Sequence, residues 1–167
     1  MRHVLLIILI FCTIPSFTQS ETKVIKYPWL SLTTGAGVDI FNTRFSCVSS
    51  MEFMLGKKHY WYNSITTIHT GDWLWTLSTG AGVILYDKRD PVTSKGWSIA
   101  WNYLAFGIGI ITAERLGLST VSTMRFRFHL NPIFALQFGI DHHIFTEFLS
   151  DQVLWSSAHA LTLGFAF

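Results

Sequence analysis

The chain of 167 residues has two cysteines, Cys12 and Cys47. Cys12 falls in an apolar N-terminal run, so processing of that run leaves Cys47 alone. A lone cysteine forms no intramolecular disulfide and cannot build a Cys-based metal site. Charge is also scarce: charged residues make up 13% of the chain, with 12 Lys+Arg against 10 Asp+Glu. That balance offers neither a basic surface for nucleic acid nor a polybasic patch for acidic lipid. After the N-terminal run there is no apolar stretch near the ~20 residues that a membrane helix needs. Linkers, charge blocks and low-complexity tracts are missing too, which leaves one domain.

What is present begins with an address. Arg2 and His3 form a short basic start, Val4 to Ile14 are apolar, and Pro15 and Ser16 lead into a polar exit, TQSETK. This is the region order of a secretory signal peptide. Thr18 and Ser20 supply small side chains before a cut after Ser20, so 1–20 is expected to be the signal peptide and 21–167 the folded domain. Phe11 is too bulky to precede a lipidated Cys12.

The folded part alternates. From Trp155 the sequence reads WSSAHALTLGFAF. Leu161, Leu163, Phe165 and Phe167 share one face; Ala160, Thr162, Gly164 and Ala166 share the other, a period of two. An apolar strand ending on an aromatic would template aggregation in water. In lipid it can close a barrel by pairing with the first strand. Eight such segments can be marked, near 29–41, 44–56, 60–70, 73–86, 97–111, 118–130, 133–144 and 155–167. The third has no clear facing. The fifth turns apolar on both rows after Tyr103, which suggests a bulge. Around Asn131-Pro132 the alternation demands an odd loop, because a slip of one residue flips every side chain. A loop of 130–132 would pair Phe126 with Leu136 and Arg125 with Gln137. Trp29, Tyr60, Trp61, Trp73, Trp75, Tyr86, Trp97 and Trp155 cluster near segment ends, as expected of aromatic girdles at a membrane–water interface.

These features resemble the small outer-membrane β-barrel proteins of the eight-stranded kind. The resemblance covers the mature chain and rests on the signal peptide, the alternation, the aromatic ends and the final LTLGFAF. That ending looks like the C-terminal signal read by the barrel-assembly machinery. It implies an all-β, eight-stranded antiparallel up-and-down transmembrane barrel in a bacterial outer membrane. Outer-membrane lipid and the assembly machinery would be its partners. No short motif singles out a subfamily.

The inward rows collect Asp39, Arg44, Glu52, Asn102, Arg125, Arg127, His129, Gln137, Asp141 and His143. Eight strands leave an interior just wide enough for side chains to fill. The charged members must therefore pair, since unpaired buried charges are costly. A plugged lumen network is expected from Asp39, Arg44, Glu52, Arg125, Arg127, Gln137 and Asp141, with Glu52 and Asp141 as acids for the two arginines. The arginines argue against a secreted lipocalin-like barrel, whose interior would be apolar. The glycines in GAG at 35–37 and 80–82 are expected to mark curvature or close approach. Without a helix behind them they do not form a phosphate loop.

The one enzymatic lead is the stretch holding Asp141, His142, His143, Glu147, Ser150 and Asp151. A Ser–His–acid group there would have His142 or His143 activate Ser150 and a carboxylate orient the ring, the candidates being His142, His143, Ser150 and Asp151. Outer-membrane barrels that remove acyl chains from lipid A use such groups. In the lipid A deacylase family the His and Ser stand two apart on one strand; no His-x-Ser occurs here, and adjacent histidines face opposite sides of a regular strand. A metal held by His142, His143 and Glu147 has equally thin support. Neither metal nor cofactor is expected. The leading expectation is a non-enzymatic barrel with a structural or envelope-interaction role; an acyl-chain hydrolase is the alternative. External connections near 41–44, 70–72, 112–117 and 145–153 are short. The longest connection, 87–96, would be periplasmic, and is either a contact for a periplasmic partner or a solvated polar turn.

Overall fold

The computed structural model describes residues 28–71, 73–111, 115–148 and 153–167. The expected signal peptide lies outside them. Eight strands follow in order: β1 (Leu30–Asp39), β2 (Arg44–Gly56), β3 (His59–His69), β4 (Trp73–Arg89), β5 (Gly96–Ile111), β6 (Arg115–His129), β7 (Ala135–Phe148) and β8 (Val153–Ala166). Each pairs antiparallel with its sequence neighbours, and β8 closes on β1. At the seam the Phe167 N–H donates to the Leu30 carbonyl at 2.8 Å, and the Trp29 N–H to the Phe167 carbonyl at 2.8 Å. No edge remains open, which is the condition for a sheet to stand in hydrocarbon.

The strands are steeply tilted. Direct pairs followed from Leu32 around the barrel lead through Ile65, Ile108 and Thr146 to Trp155. The Trp155 carbonyl then accepts an N–H from Asn42, not from a neighbour of Leu32. A stagger of this kind is what closes so few strands into a cylinder.

Alternation sorts the side chains. Ser31, Thr33, Ser50, Glu52, Thr123, Arg125, Arg127, Gln137, Asp141 and Thr162 are all buried inside. Leu32, Phe45, Trp75, Phe106, Leu118, Phe138, Leu161 and Leu163 stand outside, Leu161 and Leu163 being 71% and 68% exposed. Such a continuous apolar belt around a polar interior inverts the arrangement of a water-soluble protein. The fold is a transmembrane β-barrel. Aromatic rings mark both ends of the belt: Trp29, Trp61, Tyr86 and Trp97 near the termini, and Phe41, Trp73, Trp75 and Trp155 at the opposite end. Tyr60, expected in the girdle, instead faces the lumen and is 6% exposed. On β3 it shares the inward row with Tyr62, Ser64, Thr66 and Ile68, while Trp61 and Ile65 face out.

Three departures from plain alternation matter. The β5–β6 register shifts between Asn102 and Ala105, so Trp101 points outward before the bulge and Phe106 after it. This explains the apolar character of both rows. The β4–β5 ladder shifts at Ile84/Tyr86 as well. The β6–β7 connection is odd, as alternation requires, but centred one residue later than a 130–132 loop. Phe126 pairs with Phe138 and Arg127 with Gln137. Asn131 sets this geometry, since its Oδ1 accepts the N–H groups of Ile133 and Phe134, each at 2.8 Å. The expected long connection at 87–96 shrinks to 90–95, because β4 runs to Arg89 and β5 starts at Gly96. Asp90 closes that turn, with Oδ1 accepting N–H from Val92 at 2.9 Å and Thr93 at 2.7 Å.

Candidate functional site

Among the described residues, charged side chains converge in the lumen. Arg125, inward on β6, reaches across the barrel. Its guanidinium donates to both carboxylate oxygens of Glu52 on β2 and to both of Asp141 on β7. It also donates to Thr162 Oγ1 at 3.3 Å, and Thr162 donates to Asp141 Oδ1 at 3.1 Å. Ser31 Oγ donates to Glu52 Oε2 at 3.0 Å. Arg125, Glu52 and Asp141 are each 0% exposed. Room for the guanidinium comes from Gly139, directly opposite Arg125 on β7: a Cβ there would strike Arg125 Nη1 at 2.6 Å.

Arg127, two residues on, is 1% exposed but differently held. Its Nε donates to Gln137 Oε1 at 3.1 Å, and its Nη2 lies 2.9 Å from Met54 Sδ. Gln137 in turn donates to Ser31. The expected division of two acids between two arginines is therefore corrected: both acids go to Arg125. The reason is geometric, since Glu52 and Asp141 flank Arg125 across the lumen while Arg127 sits one layer nearer the termini. Tyr60 donates to Asn102 Oδ1 and Asn102 to Thr123, while nearer the termini Ser98 bonds His129 Nε2 at 2.8 Å.

The other expected members lie elsewhere. Asp39, at the end of β1, accepts from the Ser157 N–H at 3.1 Å and from Asn42 Nδ2 at 2.8 Å, so it ties β1 to β8 and its own turn. Arg44 lies on the inward row but at the strand end, where it is exposed. On the far side of the Arg125 layer Val48, Ile68, Leu74, Phe145, Ala158 and Ala160 form an apolar cluster, with His143 and Ser157 buried beside it. Two gaps of about 10 Å³ each, one beside His143 and one beside Arg127, hold no more than about a water apiece.

The candidate catalytic group is not assembled. Ser150 and Asp151 lie outside the described residues. His143 points inward and is buried; its Nε2 is 3.6 Å from Asp141 Oδ2 and neither ring nitrogen has a hydrogen bond. His142 points outward, its Nδ1 2.8 Å from Nδ1 of His159 on β8. The neighbouring histidines thus stand on opposite sides of the barrel wall and cannot serve one centre. Among the described residues no three His, Cys, Asp or Glu side chains gather to hold a metal. Sequence reading missed Met54, Tyr60 and Tyr62 as lumen residues; Trp61 and Ile65 on the opposite row of β3 were the available signal.

No protein-family model matches the chain, and no curated protein does. Two solved structures resemble it. One is a de novo designed transmembrane β-barrel: 12% identity, TM-score 0.46, 85% of this chain and 97% of that one covered. The other is the Yersinia pestis outer membrane protein Ail in a phospholipid bilayer nanodisc, at 14% identity and TM-score 0.36, covering 83% and 99%.

Proposed function

We propose that this chain is a non-enzymatic integral protein of a bacterial outer membrane, with a structural or envelope-interaction role and a lumen closed by its own side chains. The observation that carries the reading is Arg125 held between Glu52 and Asp141 with no exposure of any of the three. The buried charge layer across the bore, beside an apolar cluster, is what supports a closed lumen. The termini and the 90–95 turn would lie on the periplasmic side, as an even strand number dictates. The closing strand would be the segment read by the barrel-assembly machinery, and the polar turn is the surface open to a periplasmic partner.

The test is twofold. Purified protein in planar bilayers should give no steady conductance, and lipid A from cells with and without the protein should have the same mass spectrum. Steady channels would refute the closed lumen. Loss of one acyl chain from lipid A in expressing cells would favour the hydrolase instead. Recovery as a soluble periplasmic protein would remove the membrane location.

A further inference from the structure

One polar feature of the lipid-facing wall is not satisfied within the barrel. His142 and His159 face out from the middle of β7 and β8, between Ile140, Ile144 and Leu161. Their rings meet at 5.0 Å between centroids and share an Nδ1···Nδ1 hydrogen bond of 2.8 Å. Other outward polar groups use one another: Thr34 bonds Ser49, Thr67 donates to the Ser49 carbonyl, and Thr79 donates to Asn63. The histidines have capacity left over. In an Nδ1···Nδ1 bond between neutral imidazoles one ring carries its proton on Nδ1 and the other on Nε2. The first then presents a bare Nε2 lone pair and the second an Nε2–H. Neither Nε2 has a partner among the described residues. In hydrocarbon each unmet group is costly.

One acceptor and one donor, side by side, form a self-complementary pattern. A two-fold axis along the membrane normal would bring His142 of one copy against His159 of another, and the reverse, which is the arrangement of an isologous contact. Each Nε2–H would find an Nε2, and the surrounding isoleucines and leucines would pack across the same axis. We infer that the β7–β8 wall is a contact between two copies of this chain within the bilayer, joined through the His142–His159 pair. The inference needs the barrel to stand in a membrane but not the role proposed above.

Site-specific cross-linking in phosphatidylcholine liposomes tests it, in a Cys47→Ser background. Ile144→Cys, beside the axis, should form an intermolecular disulfide under mild oxidation. Phe106→Cys, outward on β5, should not. Adding His142→Phe or His159→Leu should each slow the Ile144 cross-link about tenfold, since both replace a lipid-facing polar group with an apolar one and interfacial hydrogen bonds in membranes are worth about that much. Retained heat-modifiable migration shows that these variants still fold. Equal cross-linking at 144 and 106 would overturn the contact. A cross-link at 144 indifferent to both histidine variants would overturn the pair as its cause. Cross-linking only after zinc addition would do the same.

Discussion

Arg125 and Arg127 stand two apart on β6 and face one lumen, yet their surroundings differ. Arg125 answers two buried carboxylates, whereas Arg127 touches an amide oxygen and a thioether. Removing Arg125 strands two anions, so Arg125→Leu should cost about 3–5 kcal/mol. Arg127→Leu leaves no anion behind, only the Gln137 oxygen and the weakly accepting Met54 sulfur without a donor, and should cost about 1–3 kcal/mol. Urea unfolding in lipid vesicles measures both. Neutralising Glu52 and Asp141 as Gln and Asn in the Arg125→Leu background should recover most of the loss, and strict additivity would rule out direct coupling. Gly139→Ala tests the seat of the same guanidinium. Its Cβ would meet the Met124 carbonyl and Arg125, so stability should fall although one methyl is gained.

Among the elements, the six-residue connection between β4 and β5 is defined by one carboxylate. The N–H of Thr93, then that of Val92, and the Thr93 hydroxyl hold the Asp90 carboxyl below its ordinary value of 3.8. A depressed folded value contributes stability above the unfolded pKa and loses it as pH falls through the folded one. Amide exchange at Val92 and Thr93, corrected for its intrinsic pH dependence, should therefore lose protection only under acid. Asp90→Ala should remove that protection at neutral pH while the barrel still migrates as folded. The same turn shows where sequence reading stopped. Alternation marked the strands and gave most of them a facing, because a period of two survives wherever one row meets lipid. Strand ends were harder: Asp87 and Arg89 look like loop residues until their ion pair places them inside the bore. The third strand was ambiguous because its lumen row carries Tyr60 and Tyr62, large rings that elsewhere belong to the outer face. Which acid serves which arginine depends on register across three strands, and no single segment encodes that.

For the whole molecule, closure is a matter of the seam. Phe167 bonds Leu30 through both backbone groups, and its ring lies 5.5 Å from that of Phe134. Deleting Phe167 removes those bonds and exposes the start of β1 as an edge in lipid, where unpaired backbone groups have no water to turn to. The strands between would keep their pairing, so the defect should appear in the yield and rate of assembly. We expect refolding into vesicles to slow and more protein to stay in the unmodified, heat-insensitive band. Replacing Phe167 with Leu restores the backbone bonds but not the aromatic contact. If Phe167→Leu folds like wild type, the backbone seam governs closure; if it fails like the deletion, the ring against Phe134 does.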